Sequence, residues 1–227
     1  MDKFDLYRDI AMRTGGDIYV GVVGPVRTGK STFIKTFMEG LVIDNIADKN
    51  KRMRTIDELP QSADGRTIMT TQPKFVPNEA VSVAFSKELS VNMRMIDCVG
   101  YLVEGALGHK QDGKERLVRT PWSTEDMPFE KAAELGTEKV IKEHSTIGVL
   151  VTTDGSISEL DRGKYVQAEE RVVAELKEFG KPFVVVLNSS KPESEEAIKL
   201  QAALKEKYGV PVLRKNVLTM KEADITE

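Results

Sequence analysis

The sequence predicts an α/β fold in which a mixed, mostly parallel sheet carries one antiparallel strand and helices on both faces. Three observations lead there. Five apolar runs rich in β-branched residues read as buried strands: Asp17 to Gly24, Ala80 to Phe85, Met93 to Cys98, Ile147 to Thr152 and Pro182 to Leu187, with a shorter sixth at Val210 to Leu213. Helical periodicity falls between them, at Lys30 to Met38, Phe129 to His144, Tyr165 to Phe179 and Glu193 to Tyr208. Strands alternating with helices imply right-handed crossovers and a sheet covered on both sides. The pair Ala80 to Phe85 and Val91 to Cys98 is separated only by Ser86 to Ser90, too little for a helical crossover, so it forms an antiparallel hairpin.

The first strand runs into Gly24-Pro25-Val26-Arg27-Thr28-Gly29-Lys30-Ser31, which fits G-x-x-x-x-G-K-[ST] between a strand and a helix. The chemistry asks for each residue type. Glycines let the backbone curl until its N–H groups face phosphate oxygens. Lys30 brings positive charge to the β- and γ-phosphates, Ser31 offers a hydroxyl to magnesium, and the helix that opens there aims its positive end at the same oxygens. Thr32 follows in the first helical turn. The expected fold is therefore that of a P-loop NTPase.

The segment Val42 to Pro77 has weak periodicity and many turn formers; a loop this long in a compact domain is functional or mobile. Within it, Lys49 to Arg54 is basic but lacks interleaved aromatics, and reads as a solvated loop rather than a nucleic-acid site. Later in it, Thr70 and Thr71 are candidates for a γ-phosphate sensor, with Thr71 also a candidate magnesium ligand. A solvated threonine cluster is the alternative reading.

The hairpin's second strand ends at Asp97, followed by Cys98-Val99-Gly100. An acidic residue at a strand tip beside the phosphate loop holds magnesium, usually through water. The D-x-x-G spacing lets the Gly100 N–H swing toward a γ-phosphate. Tyr101 then stands where many GTPases place a water-orienting Gln; a phenol is a poorer substitute, so slow hydrolysis is expected. Gly100 to Pro128 is a second weakly periodic stretch. Trp122 within it and Phe129 just after it are either an assembly contact or a core anchor, and His109 and His144 lack partners at metal spacing.

The helix Tyr165 to Phe179 places Val166, Val172, Val173, Leu176 and Phe179 on one side and Glu169, Glu170, Arg171, Glu175 and Lys177 on the other, the pattern of a helix packed on a sheet. After the strand ending at Leu187, a GTPase would show N-K-x-D. Here Asn188-Ser189-Ser190-Lys191 puts a donor where guanine's donors would seek an acceptor. ATP is favoured over GTP on that ground, with Asn188 left to support the loop or touch the base.

At 227 residues the chain fits one domain with insertions, expected to be the N-terminal part of a longer protein because it stops as a polar helix begins at Thr219 to Ile225; a short natural C-terminus is the other reading. A net charge of −3 gives no pull toward nucleic acid, and the lone Cys98 points to a reducing, cytoplasmic setting. No apolar stretch approaches the roughly 20 residues that span a bilayer.

Phosphate loop, threonine-bearing loop, hairpin and D-x-x-G come in the order of translation-factor-type GTPases. More closely, the chain resembles the N-terminal ATPase domain of the stage IV sporulation protein A family. The resemblance is carried by Tyr7-Arg8-Asp9-Ile10, Gly15 to Tyr19, Gly24 to Ser31, Asp97 to Tyr101, Val151 to Ser156 and Phe183 to Ser189. It implies ATP hydrolysis that drives self-association into a static layer on the developing spore, on the mother-cell side. It further implies recruitment to that membrane surface through a partner protein or further domains. The phosphate loop, Asp97 and the Thr70–Thr71 pair keep under it the roles already argued. Three alternatives stay open: a GTPase with an unusual base pocket, a nucleotide-binding scaffold with little hydrolysis, and a small-molecule kinase. Arg27, fourth in the phosphate loop, is read as a built-in arginine finger, standing where some GTPases hold potassium with an Asn. The other reading turns it to solvent or to an acidic loop residue.

Overall fold

In the computed structural model, which describes residues 17–60, 72–84, 90–106, 110–111 and 114–225, strand β1 (Asp17–Val23) is the axis of the molecule. Its side chains alternate: Ile18, Val20 and Val22 join one apolar cluster, and Val23 joins a second on the opposite face. After the phosphate loop come α1 (Lys30–Phe37) and α2 (Lys49–Glu58). Next is the hairpin of β2 (Lys74–Ala84) and β3 (Ser90–Asp97). Two small ribbons follow: β4 (Lys110–Gln111) with β5 (Lys114–Glu115), and β6 (Leu117–Val118) with β7 (Met127–Pro128). The chain continues through α3 (Phe129–Lys139), β8 (Ile147–Thr153), α4 (Val166–Glu178), β9 (Phe183–Asn188), α5 (Glu195–Tyr208), β10 (Val212–Lys215) and the short α6 (Glu222–Ile225).

The main sheet has the order β10-β9-β8-β1-β3-β2, parallel except for the antiparallel β2–β3 pair. The expected mixed architecture is what the chain adopts. Because β3 lies on one side of β1 and β8 on the other, the loop leaving β1 opens at a topological switch point, the place where α/β sheets bind ligands. Phe33 and Ile34 of α1 pack on one face, and Val172 and Leu176 of α4 on the other. Each fully buried aliphatic side chain of this kind contributes about 1.5–3 kcal/mol.

Three readings of the sequence need correction. Lys49 to Arg54 is helical, not a solvated loop: the Asp48 carboxylate accepts from the N–H groups of Asn50 and Lys51, capping a helix that buries little beyond Thr55. Strand β2 begins at Lys74 rather than Ala80, with an irregular register between Val76 and Val81. Pro77 falls in that irregular stretch, and proline is tolerated there because β2 is an edge strand. Glu169, assigned above to the outer face of its helix, is fully buried. It accepts from Tyr208 Oη at 2.5 Å and Arg162 Nη2 at 2.7 Å, and from the Thr152 hydroxyl. Phe129 is buried and serves as a core anchor. Among the described residues no helix is long and apolar enough to cross a membrane.

Candidate active site

The loop Gly24 to Ser31 curls at the carboxyl end of β1, and its glycines are required by contact as well as conformation. Gly24 has φ 141°, and a Cβ there would lie 2.2 Å from the Val151 carbonyl oxygen. Gly29 has φ 94°, and its Cβ would meet Asn188 Nδ2 at 2.4 Å. Gly29 also supplies no side-chain cap to α1, so the first-turn N–H groups face the loop's hollow without a side-chain acceptor, as an anion site needs. Pro25, Val26 and Thr28 are buried, with Thr28 Oγ1 donating to the Pro25 carbonyl at 3.0 Å. Thr32 is half-buried in the first turn of α1.

Lys30 is 5% exposed, and its ammonium donates to the carbonyls of Pro25 (2.6 Å) and Gly24 (3.4 Å). Burial lowers its pKa, partly offset by Asp97. Carbonyl dipoles alone are thin compensation for a buried cation, so the site favours an arriving anion. Ser31 Oγ donates to Asp97 Oδ2 at 2.6 Å, which joins the two candidate metal-side groups. The other oxygen, Asp97 Oδ1, is buried without a hydrogen-bond partner. Desolvation raises the Asp97 pKa against the Ser31 hydrogen bond. A hydroxyl beside a carboxylate with one unfilled lone-pair face is a hard-oxygen donor set that fits a magnesium ion.

Gly100 (φ 88°) closes the opposite wall: a Cβ there would stand 2.0 Å from the Gly24 carbonyl oxygen and 2.7 Å from Lys30 Nζ. Asn188 braces the loop from behind, donating from Nδ2 to the Thr28 carbonyl at 3.0 Å and accepting at Oδ1 from Val217 N at 3.2 Å. Its amide thus supports the loop. Lys191 is exposed beyond it. Arg27 has φ 63°, the one non-glycine positive φ among the described residues, and its side chain makes no hydrogen bond or ion pair among them. Cys98 is packing: its thiol donates to the Val22 carbonyl at 3.3 Å, and burial pushes it up to about 11. Thr70 and Thr71 lie outside the described residues. Among the described candidates, then, Gly24 to Ser31, Asp97, Gly100 and Asn188 come together.

Tyr101, read from the sequence as a poor substitute for a water-orienting Gln, is a core side chain, 3% exposed. The apolar run Tyr101-Leu102-Val103 was the available sign.

The sheet order, the switch point and a glycine-framed loop around a buried lysine are those of a P-loop nucleoside triphosphatase. The chain belongs to the stage IV sporulation protein A family, whose ATPase-domain model matches residues 1–227. It is 61% identical over 98% of its length to stage IV sporulation protein A of Clostridioides difficile (strain 630), and 57% identical over 99% to that of Bacillus subtilis (strain 168). The chain spans 45% and 46% of those relatives' lengths. Among solved structures, a dimerization-deficient mutant of Toc33 from Arabidopsis thaliana aligns with a TM-score of 0.48 at 12% identity, over 93% of this chain and 75% of that one.

Proposed function

We propose that this ATPase domain binds ATP with magnesium at the Gly24 to Ser31 loop and hydrolyses it slowly by in-line attack of water on the γ-phosphate. The observation that carries the reading is the Ser31–Asp97 pair at 2.6 Å with its unpartnered Asp97 Oδ1, set beside the buried Lys30. Lys30 and the loop N–H groups bind the β- and γ-phosphates and stabilise charge as the bond breaks. Ser31 and Asp97, with Thr71, would hold the ion, which when bound screens the phosphate oxygens. Thr70 and Thr71 act as γ-phosphate sensors. Arg27 extends its guanidinium over the phosphates as a finger in cis. Lys191 disfavours guanine, and Asn188 keeps the loop in shape. With Tyr101 withdrawn into the core, no side chain directly after Gly100 orients water, which supports slow turnover.

In the whole protein, hydrolysis drives self-association into the basement layer of the spore coat. That takes place in the mother-cell cytoplasm at the forespore surface, reached through a partner protein or further domains, with no role for nucleic acid. The membership of the sporulation family supports this part of the reading.

One titration series tests the site. Lys30→Ala should lose ATP binding by calorimetry, Asp97→Ala should lose magnesium dependence and turnover, and the Thr70→Ala, Thr71→Ala double variant should keep ADP affinity while losing turnover. Unchanged ATP affinity in Lys30→Ala would sink the assignment.

A further inference from the structure

Tyr101 directly follows the D-x-x-G turn, and two separate ties hold it. The first is through the backbone: Tyr101 forms a parallel bridge with Pro25, and its carbonyl accepts from Val26 N at 2.9 Å, which extends the β1–β3 pairing onto the phosphate loop. The second is through the side chain. The phenol lies 2.5 Å from both carboxylate oxygens of Glu175 on α4. The Arg171 guanidinium stacks 4.2 Å over the Tyr101 ring, with its Nε 3.4 Å from Glu175 Oε1. Arg171 in turn forms a two-point ion pair with Glu134 on α3. The side chain after the glycine is thereby bolted to two helices.

Gly100 needs such an anchor. With φ 88° and no side chain, it has the widest conformational freedom in the turn and nothing of its own to fix it. Yet the direction of its N–H decides whether a γ-phosphate oxygen meets a donor. A polar tie on the next residue removes that freedom before nucleotide arrives, which is preorganisation of a donor rather than a new contact. The carboxylate matters to the argument. A buried phenol needs an acceptor, but packing alone would have been served by phenylalanine. Glu175 is half-buried, and its charge is balanced by Arg171, so the phenol and the carboxylate satisfy each other only as a pair.

We propose that Tyr101 is a positioning residue for hydrolysis: its phenol, anchored on Glu175, fixes the Gly100 N–H toward the γ-phosphate. The proposal rests on the reading of the Gly24 to Ser31 loop as the ATP site. The tie selects for the triphosphate, because ADP offers nothing to the Gly100 N–H.

The test compares Tyr101→Phe, Glu175→Ala and Glu175→Gln in the whole domain. ADP and a non-hydrolysable ATP analogue are titrated by calorimetry, and turnover is measured at saturating ATP. In Tyr101→Phe the analogue's affinity and the turnover should each fall about tenfold while ADP affinity stays within about twofold, the loss of one oriented charge-assisted hydrogen bond. Glu175→Ala should match it, and Glu175→Gln, which still accepts from the phenol, should recover most of the wild-type behaviour. If Tyr101→Phe does not fold, the contrast between Glu175→Gln and Glu175→Ala carries the same comparison. Equal losses for ADP and the analogue, or wild-type turnover in Tyr101→Phe, would overturn the proposal and leave the site reading intact. Normal ATP binding in Lys30→Ala would overturn the site reading itself.

Discussion

Arg27 holds a backbone conformation that costs a side-chain-bearing residue about 1–2 kcal/mol, and among the described residues no hydrogen bond of its side chain offsets that cost. Strain of this sort persists where something other than stability selects the side chain. Arg27→Gly should therefore raise stability by about 1 kcal/mol in urea denaturation, since glycine is at ease at φ 63°. The same variant should lose turnover while ATP affinity stays within a few-fold, and the wild type should hydrolyse ATP equally in sodium and potassium. Full activity in Arg27→Gly, or a potassium requirement, would remove the finger from the mechanism. The phosphate-loop residues were legible one by one, because chemistry dictates each residue type at a fixed spacing. Tyr101 was not, because its place depends on Glu175 and Arg171, seventy and more residues away in the sequence, which no local pattern announces.

Elements were legible where their burial is periodic. Strands β1, β8 and β9 and helix α4 lie within a residue or two of their expected bounds, because both faces of the central sheet are covered and the apolar runs have no competing reading. Helix α2 escaped because it buries little of its own surface and leaves Met53 and Ile56 exposed, so amphipathicity never signals it; the Asp48 cap was the only local mark. Glu169 escaped for the opposite reason: a charged residue on α4 was assigned to water, whereas Arg162, Tyr208 and Thr152 converge on it across three elements. Removing it would strand their donors. Glu169→Ala should cost about 3–5 kcal/mol, and Glu169→Gln clearly less, by urea denaturation. A loss under about 1 kcal/mol in Glu169→Ala would show the network to be dispensable.

At the scale of the whole molecule, two apolar clusters share one sheet, so β1 belongs to both and neither cluster can open without it. Cys98 sits at the end of β3, 6% exposed, with its thiol turned to the Val22 carbonyl of β1. It is a reporter of that joint opening. Alkylation of the native protein should be slow, should speed up on denaturation, and should slow further with ATP, since a ligand of the folded state suppresses opening in proportion to its excess over Kd. Rapid labelling of native protein, insensitive to ATP, would mean that β3 opens alone.

The ends of the main sheet have a consequence for how copies of this chain can meet. On one side β10 is only four residues long, and on the other β2 loses its regular register around Pro77, which has no N–H to offer a neighbour. Among the described residues, neither margin provides a long, flat row of unpaired backbone groups. If copies of the chain associate as proposed above, they are thus denied the shortest route to a continuous cross-β ribbon. A joint between copies would then have to be read side chain by side chain, and could be specific, limited in extent and responsive to the nucleotide, where a fibril would be none of these.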